Sequence, residues 1–368
     1  MRRGITQFLI LFIGLLPSCL LAMDADSSKS QNTRNRLRFI ALPTLGSAPE
    51  TGFYFGAVAL LDIIPRRDSL PRNSVIKTEF TYTTKRQFIA GLEWTLTSQN
   101  KDWILFGNNY WTKFPELFWG IGGDLPQNKE VLYGANRLEL ANSLYRKIHS
   151  DWYLGICQRF QNIYNPDFPQ LSERTAPVYF QLDFGVASGL GLGLLYDTRS
   201  NILNPRPGEA FLSAQTMGFG KVTGGDFSFL LADLDMRFYQ KLTKKSLLAF
   251  QIVGQMRSNE APFRMMAMVG GPMMLRGYYQ GRYRDNHLLA SQMEWRWTFH
   301  RFFGMTAFAA AGNVRNFDFP ERSGSLKSAA GLGFRVIADP KGNSFLRMDF
   351  ALTREENFGF YISFGEAF

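Results

Sequence analysis

Three kinds of residue in this chain have types and spacings that could do chemistry: its histidines, a glycine-spaced run, and one arginine set among glycines and tyrosines. The histidines are His149, His287 and His300, and none has metal-ligand spacing or a neighbouring cysteine. His287 and Ser291 stand four apart, so a strand could place a base and a nucleophile on one face, yet Asp285 to His287 reads better as the end of a long loop. Gly189-Leu190-Gly191-Leu192-Gly193 has the look of a phosphate loop. Such a site needs a strand, a turn and a helix N-terminus, and here Asp197-Thr198-Arg199-Ser200 follows instead, so the run reads as a strand with a narrow glycine face. Met265, Met266, Met268, Met273 and Met274 read as adaptable packing rather than a metal site. No catalytic residue, metal or cofactor is therefore expected. What remains is Leu275-Arg276-Gly277-Tyr278-Tyr279-Gln280-Gly281, between two runs that alternate apolar and polar side chains. A guanidinium is a planar fork suited to bidentate pairing with carboxylates where water is scarce. Gly277 permits close backbone approach, and Tyr278 can pack while still hydrogen-bonding.

The elements that must position this segment follow from composition. The chain opens Met1-Arg2-Arg3, is almost wholly apolar from Phe8 to Leu16, and turns polar from Asp24 to Ser30. This is the pattern of a secretory signal, expected over residues 1–22 with cleavage after Ala22. A second reading stays open: Leu16-Pro17-Ser18-Cys19 resembles a lipoprotein box that would leave Cys19 lipidated, although Pro17 is uncommon there. Cleavage at Ala22 leaves Cys157 alone, so no intramolecular disulfide framework is expected. No later segment approaches the ~18 consecutive apolar residues of a transmembrane helix. Aromatic residues reach 15% and Gly numbers 34, and few capped helices can be found. Together with period-2 alternation, these features point to an all-β fold, a transmembrane antiparallel β-barrel of the bacterial outer-membrane type. Loss of Arg2 and Arg3 with the signal lowers the formal charge of +10 by two. The remaining surplus suits outer-membrane lipid headgroups or a basic lumen. Scattered through strands without a binding motif, it argues against nucleic acid.

A membrane strand needs about 9–11 residues with alternating lipid and lumen faces. Leu289, Met293, Trp295, Trp297 and Phe299 oppose Gln292, Glu294, Arg296 and Thr298; Leu346, Met348, Phe350 and Leu352 oppose Arg347 and Asp349. The pattern predicts strands near 37–43, 52–62, 75–84, 87–97, 102–112, 131–146, 152–163, 182–197, 209–220, 227–240, 245–257, 286–299, 303–313, 327–338, 343–353 and 357–368. The 102–112 strand fits worst, because Asn108 and Asn109 fall together. About sixteen strands is the even number that a closed bacterial barrel requires. Short links alternate with long ones (113–130, 164–181, 258–285 and 314–326), which places the short turns in the periplasm and the long loops outside. The tryptophans Trp94, Trp103, Trp111, Trp119, Trp152, Trp295 and Trp297 are expected mostly at the membrane interfaces. The domain reading is a signal at 1–22, a short periplasmic segment at 23–36 and a barrel at 37–368 with a long extracellular loop at 258–285. The last strand alternates through Phe360, Ile362 and Phe364 and the sequence stops at Phe368, like the C-terminal recognition signal of outer-membrane barrels.

Gly270-Gly271-Pro272-Met273-Met274-Leu275-Arg276-Gly277-Tyr278, followed by Gly281-Arg282-Tyr283-Arg284-Asp285 and then Glu294, resembles the loop-six signature of the BamA/TamA-type bacterial surface-antigen family. Asp197-Thr198-Arg199-Ser200-Asn201 with Pro205 and Gly208 resembles a turn of the same barrels, and Phe39 to Gly56 resembles their opening strands. The resemblance implies a sixteen-stranded outer-membrane barrel that inserts or translocates other proteins. It also implies a sixth loop folded into the lumen with its arginine docked on acidic groups of the wall. Glu294, on a polar strand face with Arg296, is the expected partner of Arg276.

Two departures accompany this likeness. The family's second acid belongs to a Phe-x-Asp-x-Gly segment, but here Phe308-Ala309-Ala310-Ala311-Gly312 puts Ala310 at the Asp position. Only about fourteen residues lie between Ala22 and the first strand, against the ~50 that a domain needs, so periplasmic POTRA domains are not expected. The leading reading is protein insertion or translocation, with client outer-membrane or secreted proteins as partners and periplasmic proteins or self-association replacing POTRA. The alternative is a passive pore or structural barrel for small solutes, favoured by both departures; an enzyme comes a distant third.

Overall fold

The computed structural model describes residues 36–48, 51–64, 72–126, 130–168, 181–258, 260–339 and 344–368. The signal sequence, its Cys19 alternative and the segment up to residue 35 lie outside the described residues. Sixteen long strands follow one another: β1 (Arg36–Ala48), β2 (Gly52–Ile64), β3 (Ser74–Thr83), β4 (Phe88–Thr97), β5 (Trp103–Lys113), β6 (Val131–His149), β7 (Trp152–Asp167) and β8 (Gly185–Asp197), then β9 (Ala210–Phe219), β10 (Phe229–Lys241), β11 (Ser246–Arg257), β12 (His287–His300), β13 (Phe303–Arg315), β14 (Lys327–Asp339), β15 (Ser344–Thr353) and β16 (Phe358–Phe364). Each pairs antiparallel with the next. Among the described residues β16 meets β1 through one pair, Ser47 opposite Phe360. Three short strands lie in loops: Glu116–Phe118 pairs with β6, and Ala267–Met268 with Arg284–Asp285. The described helices are two single turns, Lys221–Thr223 and Pro320–Arg322.

Alternation builds this wall because lipid offers no hydrogen bonds to the backbone, so an extended chain must satisfy every peptide group through its neighbours. Side chains then sort by parity. On β12, Glu294 is fully buried and Gln292 4% exposed, whereas Leu289 is 69% and Met293 43% exposed. On β15, Arg347 and Asp349 point inward while Phe350 and Leu352 point out. Trp103, Trp111, Trp295 and Trp297 are exposed on the outer face, but Trp119 is buried in a loop against Tyr279.

Asn108 and Asn109, which spoiled the fifth strand as a pattern, separate cleanly in space. Asn108 lines the lumen. Asn109 faces outward, where it exchanges hydrogen bonds with Asn142 of β6 at 3.3 and 3.1 Å; Asn142 also reaches Gln158 of β7 at 3.4 Å. A lipid-facing amide is tolerated when neighbouring amides take up its donors and acceptors. Sequence parity could place Asn109 on the outer face but could not supply its partners.

The glycine run of β8 is a strand face, and its space is used. An ideal Cβ on Gly191 would lie 1.8 Å from the Thr216 carbonyl oxygen, and one on Gly193 would lie 2.4 Å from the Tyr145 hydroxyl. Gly191→Ala must therefore push β8 and β9 apart, with an expected loss of about 1–3 kcal/mol. Urea unfolding followed by tryptophan fluorescence checks this; an unchanged midpoint would show that the backbone absorbs the methyl.

Candidate functional site

The long loop between β11 and β12 folds inward as a hairpin. Arg257 anchors its start, donating from Nε to the Met265 carbonyl at 2.8 Å. The two-residue pairing of Ala267–Met268 with Arg284–Asp285 continues through Val269 N to the Tyr283 carbonyl at 3.0 Å and Gly281 N to the Val269 carbonyl at 2.9 Å. The root packs against the long loop between β5 and β6: Gly122 N donates to the Arg284 carbonyl at 2.8 Å. Arg284 lies near the rings of Phe118 and Phe263 and donates to the carbonyls of Gly281 and Phe263. Burial, with positive Arg264 nearby, pushes its guanidinium down to about 10, still charged at neutral pH.

The tip turns at Leu275, φ 51°, and Gly277, φ 102°. Leu275 sits in an apolar cluster with Tyr278, Ala290, Ala310, Val314 and Ala329. Gly277 is pressed against the wall: a Cβ there would be 2.8 Å from Thr353 Cγ2, and its N–H donates to the Tyr361 hydroxyl at 3.0 Å. The Tyr278 hydroxyl donates to the Ser328 carbonyl at 3.3 Å. Each of the four motif residues is thus held by the lumen wall.

Arg276 is completely enclosed. Nη2 meets Glu294 Oε1 and Nη1 meets Asp349 Oδ2, each at 2.5 Å, and the guanidinium carbon stands 3.5 Å from the centroid of the Phe308 ring. Both carboxylates are shared onward. Glu294 Oε2 takes Arg296 Nε at 2.9 Å, Asp349 Oδ1 takes Arg335 Nη1 at 2.7 Å, and Arg335 Nε reaches Glu366 at 2.9 Å. Arg347 ties the network back to the loop, donating to the Pro272 carbonyl at 3.2 Å, as does Gln292 to the Met273 carbonyl at 2.8 Å. In a low-dielectric interior one guanidinium between two carboxylates is strongly held, and its removal takes from each buried carboxylate one of its charge partners.

The structure brings Glu294 to Arg276 and adds groups that sequence reasoning did not assign. Asp349 is the second acid; its inward parity on β15 was visible, but nothing along the chain says that β15 lies within reach of the tip. Ala310 joins the apolar cluster under Leu275, so the position where the resembled family has Asp is filled by packing. Phe308, the start of that same segment, contributes its ring face. His287 stacks on Phe317 at 4.5 Å, and among the described residues no group of three or more His, Cys, Asp or Glu could hold a metal.

The turn motif lies at the opposite mouth, on the side of the short links. Asp197 accepts from Arg199 at 3.0 and 2.9 Å and from Arg72, in the β2–β3 link, at 2.6 Å; all three are buried. Arg199 also lies 4.1 Å over the Phe211 ring. Pro205 is buried; Gly208, φ 88°, donates to the Tyr239 carbonyl at 2.6 Å. Ile202 N approaches Asn73 Oδ1 at 3.4 Å, and Glu366 N donates to the Leu203 carbonyl at 3.4 Å. The turn is therefore tied to the β2–β3 link on one side and to the C-terminal segment on the other.

That C-terminal segment departs from the expected strand at 357–368. β16 stops at Phe364, and Gly365, φ 74°, turns the chain inward. Phe360 stacks on Phe350 at 4.6 Å, and the Ile362 carbonyl accepts from the Tyr54 hydroxyl at 2.8 Å. Phe368 is buried in the lumen, its ring 4.9 Å from the Arg296 guanidinium, which donates to the Phe368 carbonyl at 2.9 Å. Alternation cannot foresee the break, because the ion pairs that draw the end inward come from β12 and β14.

An inward hairpin pinned by an arginine within a sixteen-stranded antiparallel wall is the arrangement the sequence motifs implied, and comparison with known proteins decides the family. The Omp85 superfamily domain matches residues 70–368. The chain belongs to the Omp85 superfamily. Among curated proteins none matches it. Among solved structures, this Omp85 barrel is similar to BamA from Haemophilus ducreyi lacking POTRA domains 1-3, with a TM-score of 0.53 and 14% identity over 91% of this chain and 71% of that one. It is also similar to CdiB from Acinetobacter baumannii (TM-score 0.55, 12% identity, 91% of this chain) and CdiB from Escherichia coli (TM-score 0.56, 11% identity, 89% of this chain). It spans 60% of each CdiB chain. Identities this low speak for the fold, that of bacterial outer-membrane barrels.

Arg276→Ala is expected to cost about 3–5 kcal/mol, because two buried carboxylates each lose a guanidinium partner and the hairpin loses its anchor. Asp349→Asn should cost less, since the amide oxygen still accepts one bond. Limited trypsin digestion with urea unfolding checks both: the alanine variant should be cut within the long loop, and a parent-like digest would show that packing alone holds the hairpin.

Proposed function

We propose that this Omp85 barrel spans the outer membrane with residues 37–368 and inserts or translocates other proteins there. The short turns, and residues 23–36 after a cleaved leader, face the periplasm. The observation that carries the reading is Arg276 enclosed between Glu294 and Asp349 at the tip of the inward hairpin. A conduit for free diffusion has no need of a fully desolvated ion pair in its bore. The apolar outer wall, where Leu289, Phe350 and Leu352 are exposed, makes lipids its immediate partners; client outer-membrane or secreted chains and periplasmic proteins, or a second copy, are the further partners of this reading.

The seam supports it. β16 has 7 residues against the 13 of β1, and Pro43 on β1 lacks a ladder donor. Below the single pair Ser47–Phe360, the Tyr54 hydroxyl, reaching from β2, both donates to the Ile362 carbonyl at 2.8 Å and accepts from Ile362 N at 3.3 Å. A side chain thus stands in for the missing ladder, and a client strand that displaced it would gain a template of backbone groups. Phe360, Ile362, Phe364 and Phe368 serve in this reading as the signal by which the barrel itself is recognised for assembly.

A second reading, a passive pore, draws on a cavity of about 1020 Å³ inside the barrel lined by Lys77, Glu93, Arg137, Glu139, Arg159 and Arg237 among others. Planar-bilayer conductance separates the two. The parent is expected to be mostly closed and Arg276→Ala to open in long steps; steady wide conductance that ignores the substitution would favour the pore. Depletion of the protein should also thin the outer-membrane protein inventory, and an unchanged inventory counts against client insertion.

Tyr54→Phe removes one donor and one acceptor from the seam, an expected cost of about 0.5–1.5 kcal/mol. Hydrogen–deuterium exchange should show faster uptake in Phe358–Phe364 with β11–β13 unchanged. Equal uptake in parent and variant would mean that Tyr54 does not hold the seam.

A further inference from the structure

At the short-turn end, the β10–β11 and β12–β13 links lie side by side. β11 pairs with β12, and Thr298 N donates to the Lys245 carbonyl at 2.9 Å, so the backbone itself holds the two turns together. One carries Lys241, Lys244 and Lys245 and the other His300 and Arg301; all five side chains are exposed. No Asp or Glu occurs in residues 238–248 or 295–305. Among the described residues none of these four Lys and Arg side chains is in an ion pair: Arg301 rests instead on the Phe302 ring, 4.5 Å from its centroid. In two other short turns a lysine is balanced by an acid, Lys101 by Asp102 and Lys147 by Asp151; the turns at 241–245 and 300–302 hold no such acid.

Directly above this patch, on the outer wall, Trp295 and Trp297 stack at 5.9 Å, Trp297 meets Phe299 at 5.2 Å, and His300 stacks on Phe303 at 5.7 Å. Leu242 is exposed beside the lysines. Aromatic side chains of this kind settle at the headgroup level of a bilayer, and lysine stems can lie along apolar surface while the ammonium reaches the phosphate layer. A water-facing partner protein would match the four cations but not the wall of tryptophan and phenylalanine beneath them. A lipid with an anionic head and acyl tails matches both.

We infer that the adjoining turns 241–245 and 300–302 form a binding site for an anionic phospholipid of the leaflet that the short turns face, with Lys241, Lys244, Lys245 and Arg301 on the headgroup and Trp295 and Trp297 along the glycerol and upper acyl chains. The inference rests on the membrane placement proposed above. Charge on each of several basic residues near a surface adds to such attraction, which ionic strength screens within a Debye length.

The test uses the full chain refolded into phosphatidylcholine vesicles with and without phosphatidylglycerol. Tryptophan quenching by brominated phosphatidylglycerol is compared with that by brominated phosphatidylcholine at equal bromine content. The parent should prefer the anionic lipid by roughly three- to tenfold, and the preference should shrink in high salt. The combined variant Lys241→Gln, Lys244→Gln, Lys245→Gln, Arg301→Gln should bring the ratio close to one. Replacing the three lysines by arginine should keep it, as should Lys101→Gln with Lys147→Gln at the balanced turns. A combined glutamine variant that keeps the parental ratio, or balanced-turn changes that lower it equally, would overturn the site. Failure of the parent to float with the vesicles would instead overturn the membrane placement itself.

Discussion

A guanidinium shut away from water has to be answered by carboxylates, and this requirement organises the interior of the barrel. Arg276 carries its charge from a loop to the lumen wall and finds one acid on β12 and another on β15. Because each acid has a second arginine, the pair is one link in a network running from Arg296 through Glu294, Arg276 and Asp349 to Arg335 and Glu366. The network joins three things that a plain barrel would keep apart: the hairpin, three strands of the wall, and the inward-turned C-terminal segment. Desolvation makes each member dependent on the others, so the arrangement has little room for partial forms.

The two mouths are built differently. From the long-loop side the hairpin enters with its own two-residue ladder and an apolar cluster under Leu275. At the short-turn side the Arg72–Asp197–Arg199 group ties the turn after β8 to the link after β2. Between them lies the cavity that Lys77, Glu93, Arg137 and Arg237 help to line. Among the described residues the least-paired part of the wall is where the first and last strands meet, with one backbone pair and one tyrosine hydroxyl. Loop and seam are coupled through Gly277, whose N–H is bound by Tyr361 of β16.

Much of this was legible one residue at a time. All sixteen strands could be placed from period-2 alternation, since a lipid face and a lumen face impose opposite chemistry on neighbouring residues. Leu275 to Tyr278 stood out because arginine, glycine and tyrosine together suit a desolvated docking point, and Glu294 was marked by its parity beside Arg296. The places that fitted the pattern poorly share a cause. Asn109 sits in a strand predicted at 102–112 but finds its partner on another strand, Trp119 packs within a loop against Tyr279, and the final strand ended early because Gly365 bends towards charges contributed from elsewhere.

By itself, then, the amino-acid order determined the alternation, the strand number and the order of short and long links, while the family resemblance implied which residue would dock. It could not determine what Arg276 docks on besides Glu294, since Asp349 lies 73 residues away and becomes a neighbour only when the sheet curls. Nor could it show that, with Ala310 where the resembled family has Asp, a carboxylate two strands further on would meet the arginine. Parity is a local property, imposed by the environment on each side of one strand. Which inward-facing groups meet across the lumen depends on curvature and register summed over the whole wall, and only the folded chain sets those.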